Sequence, residues 1–448
     1  MWSVSRDCHN RWDFKKRMLK DSIAQRPASA GSKKKRPRVP TVDRLLDTAA
    51  LLFWRKGYAA TTTREIAAAL NIQQASLYYH IESKEDLLYQ LCVSSVQDYL
   101  ATIPAALDGV TGPLERIRIL TRTHVSTLLR RQERNVTMLT ELRSLSPRHR
   151  TEVVELRASY MNFLRGTIQE AQESGVIRTD ITVTYLSLAL INMLNWSSLW
   201  FRKGQALSEE PLGELFADIF LNGVALPHCR NAVQAPDLQR QTKKPASRVR
   251  GVPQKRGNPT VERLLKAAVA LFSRNGYSAT STREVAALLG MQKASLYYHI
   301  EGKEDLLYFI CKSSLEQIKS DVEKAMENVS DPLERVRVLI VAHIESMLRD
   351  ADEHSTTLAE MNALSRDRLA QVRSLRDTYE DLVRSILQEA QRAGVLRSDV
   401  DVKYICLSLL GLMNRVLVWY QRRGPLLPNQ LGELLAAIFL TGAAVHRD

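Results

Sequence analysis

Hydrophobic residues recur at three- and four-residue spacings along most of the chain, and alternating runs of β-branched residues are rare. Residues 42–53 are typical, since their apolar positions fall on one face of a helix. This periodicity predicts an all-α protein. The most apolar run, residues 185–201, is interrupted by Asn192, Asn195 and two serines, so it predicts a buried helix and not a membrane span.

The hydrophobic pattern occurs twice. QQASLYYHIESKEDLLY at residues 73–89 returns as QKASLYYHIEGKEDLLY at residues 292–308, which is 219 residues later. The same offset relates Thr41 to Thr260 and Gly175 to Gly394. An offset that holds without net insertion indicates a duplicated unit and not a short shared motif.

Each copy contains the signals of two short helices joined by a tight turn. TTRE at residues 62–65 and STRE at residues 281–284 are capping boxes, which start a helix. Asn71 and Gly290 follow these helices, and both residue types tolerate the left-handed backbone of a tight turn. A second short helix is expected over residues 73–80. Packed on the preceding amphipathic helix, these elements predict a helix-turn-helix in each copy.

Charge is concentrated outside the two copies. The net charge is +14, with twelve lysines and arginines against three aspartates in residues 1–40 and eight against one in residues 229–258. These segments are interpreted as flexible basic arms that attract phosphate, with solubilising tails as the alternative. The first twenty residues contain no apolar signal-peptide core. The five cysteines form no CxxC pair, which fits a reducing cytoplasm and predicts no metal site.

FWRKGY at residues 53–58, TTREIA at residues 62–67 and ASLYYHIESKEDLL at residues 75–88 together resemble the DNA-binding domain of the TetR family of bacterial transcriptional regulators. The resemblance covers residues 41–92 and 260–311. It implies a larger helical domain after each DNA-binding domain, which binds a small effector and pairs through its last two helices as a four-helix bundle. Family members are typically single units that form homodimers, whereas this chain carries two complete units.

The predicted domains follow from the repeat and the resemblance. They are a basic arm at 1–40, helix-turn-helix domains at 41–94 and 259–313, helical effector and pairing domains at 95–228 and 314–448, and a basic linker at 229–258. The two units are expected to pair inside one chain, through 184–201 with 212–225 and 403–420 with 431–444. Thirty linker residues span up to about 100 Å, well beyond a half-site separation of about 35 Å.

The second short helix is expected to enter the major groove, where glutamine side chains can bond adenine edges. Hydroxyl, aromatic and cationic side chains around it are placed to hold phosphates, and helix N-termini favour anions. One tyrosine of each adjacent pair could instead be a core residue. The predicted DNA contacts are Thr63, Arg64, Gln73, Gln74, Ser76, Tyr78, Tyr79, His80 and Lys84, with Thr282, Arg283, Gln292, Lys293, Ser295, Tyr297, Tyr298, His299 and Lys303 in the second copy.

Polar residues on the later helices are candidates to line an effector pocket, although residues of this kind are more often satisfied structural residues than ligand contacts. They are His124, Arg157, Tyr160, Asn195, Trp196 and Trp200, with His343, Arg376, Tyr379, Asn414 and Trp419 in the second copy. The segment NWSSLWF at residues 195–201 resembles that of family members that answer acyl-coenzyme A thioesters. Arg415 stands where the first copy has Trp196, which puts a shared ligand in question.

The expected function is a DNA-binding transcriptional regulator, a repressor, released from a near-palindromic operator by a small effector such as an acyl-CoA. It is expected to act in the bacterial cytoplasm on the nucleoid. The alternative is a non-catalytic helical protein for protein interaction or DNA architecture. An enzyme is the least favoured class, because the sequence offers no phosphate loop, metal spacing or nucleophile motif; His124 and Glu141 are isolated, and no cofactor is expected.

Overall fold

The computed structural model describes residues 42–202, 204, 207–223, 259–421 and 424–442, without the side chains of Pro259 and Lys293. The predicted basic arm and linker lie outside the described residues. Within these ranges every regular element is an α-helix or a short 3-10 helix, so the predicted all-α architecture in two tandem units is confirmed.

The first unit contains nine α-helices in the described residues. They are α1 (Val42–Lys56), α2 (Thr63–Ala69), α3 (Gln74–Leu77), α4 (Lys84–Ala106), α5 (Pro113–Arg130), α6 (Gln132–Thr140), α7 (Pro147–Glu173), α8 (Val183–Trp200) and α9 (Glu209–Asn222). A 3-10 helix, Leu142–Ser144, links α6 to α7.

The second unit repeats this order. Its helices are α10 (Pro259–Asn275), α11 (Thr282–Leu288), α12 (Lys293–Tyr297), α13 (Lys303–Ala325), α14 (Pro332–Arg349), α15 (Ala351–Glu360), α16 (Arg366–Arg392), α17 (Val402–Asn414) and α18 (Pro428–Thr441). It departs from the first unit after Asn414, where α17 ends and a 3-10 helix, Arg415–Val418, follows. The equivalent residues of the first unit still belong to α8.

The helix-turn-helix forms in both units as the sequence predicts. Thr62 and Glu65 cap α2 reciprocally, since the Thr62 hydroxyl accepts from the Glu65 amide at 3.2 Å and the Glu65 carboxylate accepts from the Thr62 amide at 2.8 Å. Asn71 has φ +56° at the turn, the left-handed conformation expected there. Ile66 and Leu77 are fully buried on α1. The reading helix is shorter than the predicted 73–80, because residues 78–80 continue as a turn.

The head of each unit shares its core with the larger domain behind it. In the second unit the buried cluster that contains Phe272 and Leu296 continues through Met361 on the α15–α16 connection to Val372 on α16. Within the larger domain, α5 packs closely on α9 and α14 on α18. The cluster thus links α16 to the head of the second unit by continuous packed contacts.

The two units pack against each other through their apolar last helices. α8 lies along α17, and α9 contacts α18. Trp196 rests directly on Gly411 of α17, where an added Cβ would lie 2.7 Å from the Trp196 Cβ. At the ends of α9 and α18, Gly223 and Gly442 meet so closely that a Cβ on either would overlap the backbone of the other unit. The last two helices of each unit were predicted to form the pairing surface because they are apolar nearly all round.

Polar and aromatic contacts repeat on both sides of this interface. Arg178 of the first unit donates to the Thr441 hydroxyl at 2.8 Å. Its repeat equivalent, Arg397, forms an ion pair with Asp218 of the first unit. Two tilted ring pairs cross the interface in the same pseudo-twofold manner, Tyr185 with Trp419 and Trp200 with Tyr404, at centroid distances of 6.2 and 6.3 Å.

Gly411→Ala is expected to destabilise the protein by about 1 to 3 kcal/mol, because the new methyl group overpacks against Trp196. Gly166→Ala is the matched control, since Gly166 also lies within a helix but has nothing near its Cβ position. The control should gain about 0.5 to 1 kcal/mol. Urea unfolding of both variants tests this, and a Gly411→Ala protein as stable as the wild type would contradict the close packing.

Candidate functional site

A polar cluster joins the first turns of the two short helices in the first head. The Thr63 hydroxyl accepts from the Gln74 amide nitrogen at 3.0 Å and lies 3.2 Å from the Tyr78 hydroxyl. These three side chains are therefore held at one edge of the helix-turn-helix surface. The second head repeats the contact, with the hydroxyls of Thr282 and Tyr297 3.2 Å apart.

The tyrosine pairs of both heads lie at the surface. Tyr79 and Tyr298 are each 87% exposed, and Tyr78 and Tyr297 are 48% and 44% exposed. The alternative that one tyrosine of each pair belongs to the core is therefore wrong. Leu77 and Leu296 fill that core position instead, so the following two residues turn outward.

The other predicted DNA contacts lie on the same face or at its rim. Arg64, Gln73, Arg283, Gln292 and Ser295 are exposed, whereas Ser76, His80 and His299 are half-buried. The side chain of Lys293 lies outside the described residues. An exposed face that carries amide, hydroxyl, phenol and guanidinium groups offers both base-edge and phosphate partners.

Lys84 and Lys303 have a local role that the sequence did not predict. The Lys84 ammonium donates to the carbonyls of Tyr58 and Thr61, both at 2.9 Å, and lies over the Tyr58 ring. Lys303 makes the same contacts in the second head. A third, longer contact of 3.5 Å joins Lys84 to the Ala59 carbonyl and Lys303 to the Ser278 carbonyl, so each lysine anchors the loop before the helix-turn-helix.

A buried arginine attaches the first head to the larger domain through two aspartates, Asp43 and Asp47, whose side chains are more than half exposed. Arg134 on α6 is 1% exposed and binds Asp47 of α1 at 2.5 Å and Asp43 at 3.2 Å. Arg134 is not among the residues that the sequence pattern singles out. A signal was present, because the equivalents of Asp47 and Arg134 are Lys266 and Glu353, a reversal of both charges.

The interior of the first larger domain holds a hydrogen-bonded cluster of three predicted effector residues. His124 Nδ1 lies 2.7 Å from the Tyr160 hydroxyl, and His124 Nε2 lies 3.3 Å from Asn195 Oδ1. Tyr99 stacks on His124 with 4.7 Å between ring centroids. Burial lowers the pKa of His124 to about 4, so the ring is neutral at physiological pH.

The second unit repeats only part of this cluster. His343 Nδ1 lies 2.6 Å from the Tyr379 hydroxyl, and burial lowers the pKa of His343 to about 3. Arg376, predicted to match Arg157, lies outside the cluster. Its exposed guanidinium binds Asp377, which replaces the alanine at position 158 and holds the arginine at the surface.

The predicted tryptophans lie where the units meet. Trp196 packs on Gly411, and Trp200 and Trp419 contact tyrosines of the opposite unit. The indole nitrogens of Trp200 and Trp419 are buried without a hydrogen-bond partner among the described residues. These side chains are thus part of the interface as well as neighbours of the interior clusters.

Neither a metal centre nor a membrane-spanning helix is found where the structure is described. No group of three or more histidine, cysteine, aspartate or glutamate residues there is arranged to hold a metal ion. No helix in the same ranges is both long and apolar enough to cross a bilayer. Cys92, Cys311 and Cys406 are buried free thiols, and burial raises the pKa of each to about 12.

The free energy of unfolding should decrease as the pH is lowered, because His124 is buried in its neutral form. The unfolded chain binds a proton near pH 6.5, whereas the folded state resists protonation down to about pH 4. The contribution is therefore intact above pH 6.5 and is lost between pH 6.5 and 4, by about 3 kcal/mol. Urea unfolding at pH 7 and pH 4.5 should show a smaller loss for His124→Gln, and equal losses in variant and wild type would contradict it.

Comparison with known proteins agrees with this geometry. Residues 45–91 and 264–308 match the family model of bacterial regulatory proteins of the tetR family, and residues 110–224 and 329–443 match the tetracyclin repressor-like C-terminal domain. The HTH-type transcriptional repressor KstR2 of Mycolicibacterium smegmatis is 30% identical over 184 residues, which are 41% of this chain and 89% of that protein.

Solved structures are similar over the length of one unit. The TetR family regulator PfmR of Thermus thermophilus is 34% identical and covers 40% of this chain and 96% of its own, with a TM-score of 0.38. AibR, in complex with isovaleryl coenzyme A and operator DNA, is 26% identical with a TM-score of 0.37, over 40% of this chain and 96% of that one. The chain belongs to the TetR family as a DNA-binding transcriptional regulator, not an enzyme, with both family domains present twice in tandem.

Proposed function

We propose that this regulator is a repressor whose two heads bind the two halves of one near-palindromic operator and release it when a small effector binds. The observation that carries the proposal is the presence of two complete heads in one packed body. The Thr63–Tyr78 contact and the Thr282–Tyr297 contact have the same length, and Tyr79 and Tyr298 are equally exposed. Two matched surfaces related by a pseudo-twofold arrangement suit two half-sites of a duplex.

Pairing inside one chain is the second part of the proposal. The contacts of α8 with α17 and the meeting of Gly223 with Gly442 join helices that single-unit relatives would use between subunits. A tethered unit faces its partner at an effective concentration of about millimolar, so the internal pair outcompetes pairing with a second chain at ordinary protein levels. The predicted domain boundaries remain part of this proposal.

For DNA contact, the exposure and the chemistry of each side chain suggest whether it binds a base edge or a phosphate. Gln73, Gln74 and Ser76 lie at the start of the reading helix and are proposed to reach base edges. Tyr78, Tyr79, His80, Arg64, Thr63 and Lys84 and their equivalents are proposed to hold phosphates. Because Gln74 and Tyr78 already contact Thr63, they are pre-positioned and lose little side-chain entropy on binding.

We further propose that the effector binds in the larger domains, next to the interior His124–Tyr160 and His343–Tyr379 pairs. The resemblance of residues 195–201 to those of acyl-CoA-responsive members makes an acyl-CoA the first candidate. A site of action on the chromosome in the bacterial cytoplasm follows from the proposed operator. Selection of bound DNA from a random pool, followed by a screen for ligands that release it, tests the function as a whole.

The full chain is expected to sediment as a 50.8 kDa monomer at low micromolar concentration and to bind one operator per chain. The reason is that the surface that would form a homodimer is already covered by the second unit. Analytical ultracentrifugation with and without operator DNA measures both quantities. A stable dimer of full chains without detectable monomer would count against internal pairing.

The preferred operator should have unequal halves, because the heads differ at Gln74 and Lys293. Glutamine matches adenine edges and lysine matches the guanine O6 and N7 acceptors, so a wrong base should cost about 1 to 3 kcal/mol. Lys293→Gln should shift the preference to a symmetric operator, measured at one fixed salt concentration. Uniformly weaker binding with unchanged preference would show that Lys293 holds a phosphate instead.

A further inference from the structure

Two arginines without a carboxylate partner lie inside the paired units. Arg157, on α7, is one turn before Tyr160 on the buried side of the helix. Arg415 opens the 3-10 helix after α17 in the second unit, and that helix contacts α8 of the first unit. Both side chains are half-buried, and neither forms a salt bridge with any residue that the structure describes.

The elements that carry the two arginines both pack against α8, α7 from the same unit and the 3-10 helix Arg415–Val418 from the other unit. Burial and the positive charge of Arg157 together lower the pKa of Arg415 to about 10. The Nε of Arg415 has no exposed surface and no hydrogen-bond partner among the described residues. Two cations that face one region without a counter-charge are costly, and such a cost is typically offset by an anion that binds there.

The surrounding interior of the first unit also has unused hydrogen-bonding capacity. Buried polar atoms with no described partner include the hydroxyls of Tyr99 and Thr121 and the amide nitrogen of Asn192. In the second unit the equivalent residues are Ile318, Ile340 and Gly411, which carry no polar side-chain group.

At two further interior positions the hydroxyl group is unpaired in the first unit and hydrogen-bonded in the second. The Ser95 hydroxyl has no described partner, whereas its equivalent Ser314 bonds His354 Nδ1 at 2.6 Å. The Thr127 hydroxyl is likewise unpaired, whereas Ser346 donates to Asp321 at 2.6 Å. Buried polar groups are normally satisfied. The second unit also keeps unpaired buried atoms, among them His343 Nε2 and His354 Nε2, but at these five positions only the first unit leaves a polar group available to a ligand.

We propose that the first unit alone binds an organic anion, held at its phosphate or carboxylate group between Arg157 of the first unit and Arg415 of the second. The second unit lacks both cations of this site. Trp196 stands where Arg415 would be needed, and Arg376 is bound to Asp377 at the surface. Its role as the effector site rests on the proposed function, but the binding itself does not.

Binding at this site would act on the first head by a short route. Arg157 lies on α7, and near the start of that helix His149 Nδ1 lies 2.9 Å from the Glu85 carboxylate. The Ser146 amide also donates to Glu85 at 2.8 Å. Glu85 lies in the first turn of α4, directly after the reading helix and its turn. A shift of α7 would therefore be transmitted to α4, the helix that directly follows the first head's reading helix and its turn.

The test measures binding to the full chain without DNA, by isothermal titration of octanoyl-CoA, coenzyme A and octanoate. One ligand per chain is expected for at least one of these anions. Arg157→Gln and Arg415→Gln should each weaken it about tenfold or more, because a charge-assisted contact is lost. Arg376→Gln is the matched control and should leave affinity unchanged. Binding of octanoate alone would assign a carboxylate, and binding of the two CoA compounds a phosphate.

A second measurement covers the case in which a variant is poorly folded. Pyrophosphate should raise the melting temperature of the wild type more than chloride does at equal ionic strength, and this gain should be lost in Arg415→Gln. Two ligands per chain, arginine variants with wild-type affinity, or no effect of any anion would each overturn the site. Operator binding is measured separately on the same samples, so a failed site with intact DNA binding leaves the proposed function standing.

Discussion

The packing of α8 on α17 is the contact on which the rest of the structure depends. Both helices are apolar nearly all round, so each unit alone would expose a large hydrophobic surface. Gly411 and the Gly223–Gly442 contact allow the backbones and Trp196 to approach where larger residues would hold them apart. In the internal pair that we propose, this interface joins the two heads to one set of packed helices, and helix packing would set their relative placement.

A fused pair is free to lose symmetry, since its halves no longer share one sequence. The aromatic pairs and the contacts of Arg178 and Arg397 keep the pseudo-twofold relation where the units meet. The interior keeps it less well, because apolar or hydrogen-bonded side chains in the second unit replace the unpaired groups of Ser95, Tyr99, Thr121, Thr127 and Asn192 in the first. Symmetry is thus retained where the units meet and lost in the interior that we propose as the anion site.

Much of the fold could be predicted from the sequence because its signals are local. The capping boxes, the left-handed Asn71 and Gly290 and the prolines at the starts of α5 and α14 act within a few residues of themselves. The roles of Lys84, Arg376 and Arg415 could not be predicted. Lys84 and Arg415 interact with groups that are distant in sequence and adjacent only in the fold. Arg376 pairs with its neighbour Asp377 and therefore differs from its repeat equivalent Arg157.

The same asymmetry extends to how each head is attached. In the first unit the buried Arg134 side chain binds the exposed carboxylates of Asp43 and Asp47, and this joins the head to the larger domain. Lys266 and Glu353 carry the reversed charges in the second unit, yet no ion pair joins them in the described structure, and burial raises the pKa of Glu353. Firm attachment transmits a displacement, whereas loose attachment absorbs it. The unit in which we propose the anion site is therefore also the one whose head is joined to its larger domain by an ion pair.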